Sequence, residues 1–451
     1  MNDQETFARG IHPLGNKHFA MNKAIEVLPT PKTLTVPLLQ HIGTACEEAS
    51  KPRTALAVND KIGTSSGYIS ASIHVGLEGK TAKTGKVTLP NGRRVPAVQF
   101  KVNPTQSIEG SALFKEIYGG DWPKTNLEGY DHDQIFQNAQ EAGLVGLGGA
   151  AFPTHVKLKR NPEKPIDTLL INGAECEPYL TSDYRLMLEA PAPIITGSLL
   201  AQIATGAQDV KICIEDNKPE AIKTMRKAAE GTGIQIQVLK TKYPQGGEKQ
   251  LISAVLGRVV PTGGLPLDIG VVVLNVSSTA ALARAVIHQK PLTHRIVTVA
   301  GSGVRESKNI LAPIGVSIQE LIDYCGGFTT ENVRVLLGGP MMGFAVGSLE
   351  TPVTKGTSGI TILREEEVLI AEETACIRCG RCVDVCPLGL VPTKLGLASR
   401  MGNSEVADRY YISACMECGS CAYACPASIP LVQLIRLGKI QAIKAATQMA
   451  V

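Results

Sequence analysis

Aromatic residues are scarce in this chain, at 4% of 451 residues with one tryptophan, Trp122. Proteins that stack strings of nucleic-acid bases need more such platforms. An excess of one charge is missing too. Forty-five Lys and Arg stand against 41 Asp and Glu, a net +4 too even to argue for nucleic acid on electrostatic grounds. No run approaches the roughly 18 apolar residues of a membrane span. The nearest, Pro191 to Ala207, is interrupted by Gly197, Gln202, Thr205 and Gly206 and reads as a core helix. The opening MNDQETFARGIHPLG lacks the apolar stretch of a secretory signal. These absences predict a cytoplasmic protein with no membrane span of its own, no nucleic-acid partner, and membrane attachment, if any, through another subunit.

Cysteine, by contrast, is plentiful. Twelve are present, and in a cytosolic chain that number argues for metal or redox chemistry rather than disulfides. Eight fall in two copies of one motif, CIRCGRCVDVCP at 376–387 and CMECGSCAYACP at 415–426. The C-x2-C-x2-C-x3-C-P rhythm brings three thiolates onto one tight turn, while the fourth reaches the other cluster of a two-cluster ferredoxin. One [4Fe-4S] cluster is then held by Cys376, Cys379, Cys382 and Cys425, and the other by Cys415, Cys418, Cys421 and Cys386. Two structural zinc sites are the alternative, though zinc ribbons usually separate CxxC pairs by a longer loop. The 28 residues between Cys386 and Cys415, TKLGLASRMG included, read as helical. Cys46, Cys176, Cys213 and Cys325 stand apart from one another, and for most of them a buried inert thiol is expected.

The remaining chain reads as several units, in keeping with about 150 residues per domain. Residues 1–30 form an N-terminal segment. Over 31–104 short apolar pieces (TLTVPLL, TALAVND, ISASIHV, GKVTL, RVPAVQF) alternate with turn residues, which predicts a small β barrel or sandwich. Strands and helices alternate over 125–290, from DQIFQNAQEAG through IDTLLIN, DVKICIED, PEAIKTMRKAAEGTG and IQIQVLK to DIGVVVLNVS, the pattern of parallel α/β units. Residues 291–345 suggest a small α+β module, and 365–445 a helical domain around the cysteine motifs.

Three loops of the α/β region carry candidate ligands. GLVGLGGAAFPTHVKL (143–158) offers Gly146, Gly148 and Gly149 for close approach of backbone to a phosphate, with Lys157 as a fixed charge, although GxGxxG spacing is not kept and a plain turn reads as well. NGAECEP follows a strand, where α/β folds place ligands, and Asn172, Glu175 and Glu177 there suit a flavin ring and a ribose; a solvated acidic loop is the plainer reading. KYPQGGEKQ brings Gly246 and Glu248 to a helix start, and Asn275 follows a buried strand. No general acid or base is required among the eight His residues, so no catalytic residue is assigned; His12 and His155 are set aside.

In this order, GLGGAAFPTHVK, INGAECEP, YPQGGEKQ and NVSST resemble the flavin- and NADH-binding subunit of respiratory complex I. With GIHP, VPLLQHIG, LLGGPMMG and the paired cysteine motifs, nearly the whole chain more closely resembles the RnfC family, the NADH-side subunits of the membrane-bound Rnf electron transport complex. The resemblance implies FMN against Gly146, Gly148, Gly149, Lys157, Asn172, Glu248 and Asn275, and NADH near Phe152, Glu175, Glu177 and Tyr243. It implies a barrel-sandwich hybrid domain at 31–104, here without a convincing lipoyl lysine, a Rossmann-like flavin/NADH domain, an SLBB-type β-grasp module and a two-cluster ferredoxin domain. It also implies an electron-transfer subunit of an ion-translocating ferredoxin:NAD oxidoreductase, docked on other Rnf subunits at the cytoplasmic face of the membrane. A soluble cobalamin-reductase-type flavin/iron–sulfur protein is the alternative. Leu147, Ala151, Ala174 and Gly247 depart from the complex I pattern, chiefly at the implied NADH contacts.

Overall fold

The computed structural model describes residues 5–368 and 371–449. Residues 1–4 of the N-terminal segment and 369–370 of the cysteine-rich region lie outside the described residues.

The β-rich region forms two small sheets. Thr33–Pro37, Arg94–Val102, Gly79–Thr88 and Ala55–Leu56 pair antiparallel in that order, and Glu47–Glu48, Lys61–Thr64 and Ile73–His74 make the second sheet. Along Arg94–Val102 the alternation of buried and exposed residues slips at Ala97–Val98, both buried. The partner strand carries a register shift between Thr81 and Thr84 opposite this point, which re-aims the side chains inward. TALAVND and ISASIHV pair over only two residues each, because Pro, Gly and Ser neighbours turn the chain away.

A four-stranded parallel sheet lies at the centre, ordered Gln235–Leu239, Asp209–Glu215, Thr168–Asn172, Val271–Asn275. Thr168–Asn172 and Val271–Asn275 are nearly continuous apolar, buried runs because helices cover the sheet. Helix His132–Glu141 starts on a capping box between Asp131 and Gln134. Ser182–Glu189 and Pro191–Thr205 meet at a 97° bend at Ala190, where the second helix begins on Pro191. Among the described residues no single helix is long and apolar enough to cross a membrane, and most of Pro191–Thr205 is packed in the core.

The third sheet is wider than residues 291–345. Its six strands run Ile25–Val27, Lys308–Pro313, His294–Ala300, Gly359–Arg364, Val333–Leu337, Phe344–Ala345. The N-terminal segment thus contributes an edge strand. Gly359–Arg364 fills an interior position because Ile360 and Ile362 are both wholly buried. This sheet and the β-rich region share one core, in which Leu34, Val36 and Phe100 pack with Val297, Ile310 and Ile362.

The cysteine-rich region is helical: Arg381–Asp384, Pro392–Arg400, Ser404–Arg409, Ser420–Tyr423 and the long Leu431–Met449. Pro392–Arg400 crosses Leu431–Met449 closely at Gly438, where a Cβ would run into the Ser399 hydroxyl. The two motifs adopt one conformation twice. Arg378 and Glu417 both sit in the left-handed region, each followed two residues on by a left-handed glycine, Gly380 and Gly419.

Candidate functional site

From Thr168–Asn172 the parallel sheet grows outward through Asp209–Glu215 to Gln235–Leu239, then returns to place Val271–Asn275 on the other side. The order of strands therefore reverses between Thr168–Asn172 and Val271–Asn275. Open α/β sheets bind ligands in the crevice at the carboxyl ends of such a pair. Asn172 and Asn275 end these strands as register partners, and so flank the crevice.

The glycine loop sits over the same point. Val145 bridges Pro153, and the Gly146 amide donates to the Phe152 carbonyl at 2.7 Å, closing the loop at its base. Its crest, Gly148 to Ala150, is exposed. A Cβ on Gly148 would lie 3.5 Å from Asn275, and Gly149 has φ +121° with open space around it. Ala151 also holds a left-handed φ of 51°, a conformation that glycine adopts more readily.

A net of hydrogen bonds fixes the loop to the next helix, Val276–Ile287. Asn275 Oδ1 caps that helix by accepting from the Ser277 and Ser278 amides at 2.9 and 3.3 Å. The Leu147 amide donates to Ser278 Oγ at 2.8 Å. Asp183 accepts from Asn275 Nδ2 and Ser277 Oγ, both at 2.6 Å. Behind the loop the buried Arg295 guanidinium donates to the carbonyls of Leu147 (3.0 Å) and Thr357 (3.2 Å). Asp183, Ser277, Ser278 and Arg295 escaped the sequence reading; the helix-capping pattern N-x-S-S after a buried strand was the available signal for the serines.

Lys157, on the short helix Thr154–Leu158, pairs with Glu248 at 2.6 Å and donates to the Val273 carbonyl at 3.1 Å. Asn172 joins a strand end to the glycine turn: Nδ2 donates to the Gly246 carbonyl at 2.8 Å, and Oδ1 accepts from the Ala174 amide at 3.0 Å. Only glycine fits at 246, since a Cβ would run into the Ala174 carbonyl.

Glu175, Glu177 and Tyr243 are engaged away from the open crest. Glu175 caps helix Ser182–Glu189, accepting from the Asp183 and Tyr184 amides at 3.0 and 3.3 Å. Glu177 accepts from the Met341 and Met342 amides at 2.7 and 3.0 Å. Burial pushes both carboxyls above their usual range. Lys17 anchors their loop by donating to the carbonyls of Glu175, Glu177 and Leu180 at 2.5–2.8 Å. The buried Tyr243 donates its hydroxyl to the Cys418 carbonyl at 2.6 Å, and its backbone pairs with Ile11 of the N-terminal segment. Sequence alone cannot show that these carboxylates accept from backbone amides, because their partners are brought to them by tertiary packing.

The Cys418 contact joins the crevice region to the second cysteine motif. Met416 packs against the cluster of Ile11, Tyr243 and Cys418, as do Met341 and Cys176, and its methyl lies against Gly247. Cys386, Cys415, Cys418 and Cys421 line one cavity, whose other walls are largely apolar: Leu388, Leu390, Leu395, Val432, Ile435. Charge coupling runs within this set, from Cys421 to Cys418, Cys415 and Cys386, whereas Cys382 couples to Cys425 and Cys379. Burial pushes the Cys382, Cys415, Cys418 and Cys421 thiols up, Cys415 to about 11. A tetrahedral zinc at about 2.3 Å would draw its four sulfurs to within about 4 Å of each other. Among the described residues no three His, Cys, Asp or Glu side chains converge as a single ion requires. The four-thiol lining with apolar walls suits a polynuclear cluster. Of the isolated cysteines, Cys46, Cys213 and Cys325 are buried, and Cys176 is half-buried, accepting from the Gly246 amide at 3.3 Å.

Comparison with known families agrees with this layout. The Nuo51 FMN-binding domain matches residues 139–284, the RnfC barrel sandwich hybrid domain 5–104, the SLBB domain 296–345 and the 4Fe-4S dicluster domain 368–427. One component of the proton-translocating ferredoxin:NAD(+) oxidoreductase complex of Clostridium ljungdahlii is 40% identical over 408 residues, covering 90% of this chain and 87% of that one.

The chain belongs to the RnfC family.

Two further members are similarly related. The corresponding component of the Na(+)-translocating ferredoxin:NAD(+) oxidoreductase complex of Acetobacterium woodii is 39% identical, covering 86% of each chain. That of the ion-translocating oxidoreductase complex of Rhodobacter capsulatus is 40% identical, covering 95% of this chain and 82% of that one. A chain of an NAD+-reducing [NiFe]-hydrogenase in the H2-reduced state shares the fold at 18% identity and TM-score 0.51, covering 76% of this chain and 67% of that one. As an RnfC-family protein the chain is multidomain, with barrel-sandwich, FMN-binding, SLBB and dicluster parts in sequence order.

Proposed function

We propose that this RnfC-family chain carries electrons between NADH and a partner subunit, through FMN in the crevice, then the second-motif cluster, then the first-motif cluster. The chain is a subunit of an ion-translocating ferredoxin:NAD+ oxidoreductase, with FMN and two [4Fe-4S] clusters as its cofactors. Other subunits of that complex are its partners, and we assign it to the cytoplasmic side of the membrane as a peripheral component.

Flavin, when bound, supplies the conversion between two-electron hydride chemistry and the one-electron chemistry of clusters. The protein's residues do the holding. Gly146, Gly148 and Gly149 leave room for a phosphate at the start of helix Val276–Ile287, where the helix dipole favours an anion even though Asn275 caps the Ser277 and Ser278 amides. Arg295 adds positive charge from beneath. Lys157, Asn172, Glu248 and Asn275 ring the crevice and orient the flavin. Phe152, half-buried beside the crest, faces the nicotinamide dinucleotide. Glu175, Glu177 and Tyr243 act as positioning residues: they fix the ECEP loop and the seam to the cluster domain rather than touching NADH. The first cluster takes Cys376, Cys379, Cys382 and Cys425; the second takes Cys415, Cys418, Cys421 and Cys386.

The Tyr243–Cys418 bond carries the order of this path, because it ties a turn of the flavin crevice directly to a ligand of the second cluster. Gly148→Trp tests the pocket. Anaerobically purified variant should lose FMN while keeping the visible absorbance of both clusters. Full flavin content in that variant would place the pocket elsewhere.

A further inference from the structure

The tip of the β-rich domain rests on the glycine loop. Two of its loops, 41–44 and 66–70, are locked together. The Thr44 amide donates to the Ile69 carbonyl at 3.0 Å, and Ser66 Oγ donates to the Ala45 carbonyl at 2.6 Å. Gly43, at φ +115°, allows a contact so close that a Cβ there would overlap the Ile69 carbonyl. The tip is therefore a built feature and not a loose hairpin end.

It touches the flavin-binding domain on both sides of Phe152. The Ile42 amide donates to the Ala151 carbonyl at 3.3 Å, and His155 Nε2 lies 3.2 Å from the Tyr68 carbonyl. The Tyr68 ring meets His155 edge-on at 6.3 Å, and Lys159 Nζ stands 4.9 Å from its centre. Yet the tip keeps Ile42 and Tyr68 each 51% exposed and Ile69 38% exposed. Scattered exposed apolar side chains are ordinary, but these three belong to one rigid tip beside a nucleotide loop.

We propose that the tip of the β-rich domain, with Tyr68 as its platform and Lys159 beside it, binds the adenosine half of NADH. The inference rests on the reading that NADH delivers hydride at the crevice. The nicotinamide must then lie by Asn172 and Asn275, and the rest of the dinucleotide must leave over the open crest Gly148–Ala150. The tip is bonded to Ala151, the residue that ends that crest. An adenine stacks on any aromatic face without sequence-specific readout. Lys159 is an exposed point charge on a flexible stem, and its contact with the ring is of the weak, exposed kind that it can exchange for a pyrophosphate oxygen. The β-rich domain would thus set affinity for the coenzyme, completing a site whose chemistry lies in another domain.

The test compares NADH with reduced nicotinamide mononucleotide, which lacks adenosine, as donors to the cofactor-loaded protein with an artificial one-electron acceptor. Tyr68→Ala should raise KM for NADH about tenfold and leave kcat, FMN content and the KM for the mononucleotide unchanged, with Tyr68→Phe close to wild type. Lys159→Ala should raise KM for NADH by a smaller factor. An unchanged KM for NADH in Tyr68→Ala would overturn the proposal, and so would an equal rise for both donors. A wild-type protein that oxidises neither donor would instead refute the underlying reading, whereas oxidation of both with no effect of Tyr68→Ala refutes this inference alone.

Discussion

The two cysteine motifs share a backbone and differ in surroundings. At corresponding places, Met416 is packed against the cluster of Ile11, Tyr243 and Cys418 and against Gly247, whereas Ile377 is 67% exposed. Glu417 pairs with Lys439 at 2.7 Å and Arg436 at 3.0 Å; burial opposes its ionisation, but those two cations hold its carboxylate below the usual range. Residues 371–380, with Cys376 and Cys379, all lie exposed. A repeated sequence thus yields one centre walled into the seam with the flavin-binding domain and one presented outward. Cluster potential and electron transfer both respond to burial and neighbours, so identical ligand spacing does not mean identical duty.

The largest expected contrast comes from charging the equivalent apolar positions. Met416→Asp should destabilise the protein by about 2 kcal/mol, because it buries an unpaired carboxylate at the seam. Ile377→Asp should change stability by less than about 0.5 kcal/mol, since the position is on the surface, while slowing electron delivery to the partner. Thermal unfolding of the anaerobic proteins and turnover with the assembled complex check both halves. Equal stability losses would erase the distinction.

A smaller contrast is expected at the paired glycines. Gly380→Ala meets only the strain of a left-handed φ, about 1 kcal/mol. Gly419→Ala carries the same strain and also places a Cβ 2.7 Å from the Met341 carbonyl, so the backbone must shift. Its loss should exceed that of Gly380→Ala by about 1 kcal/mol, read as a lower unfolding midpoint. Equal midpoints would mean that the Met341 contact is soft.

The same contrast shows what a sequence can disclose. The ligand rhythm lies within twelve residues, so it was legible, as was the helix over DQIFQNAQEAG, though not its Asp131 cap. The parallel strands were legible from the alternation of strand and helix patterns, and Val271–Asn275 also as an unbroken apolar run. Short-range pattern fails where the partner is distant. Gly359–Arg364 and Ile25–Val27 join a sheet whose other strands lie far along the chain. Glu175 and Glu177 read as ligands or as a solvated loop, because a polar group after a strand is equally suited to ligand or backbone, and Tyr243 entered only through the resemblance. Only the packing reveals that Glu177 holds Met341 and Met342, and that Tyr243 holds Cys418. The half-buried Lys17, supporting the ECEP loop from 158 residues away, left no local trace at all.

The order of the path is open to one direct measurement: electron paramagnetic resonance of Cys379→Ser and Cys418→Ser protein reduced anaerobically by NADH. In Cys379→Ser, NADH should still reduce the cluster of the second motif. In Cys418→Ser, flavin should be reduced while the intact first-motif cluster stays oxidised on the timescale of turnover. Rapid reduction of that first-motif cluster in Cys418→Ser would contradict the account.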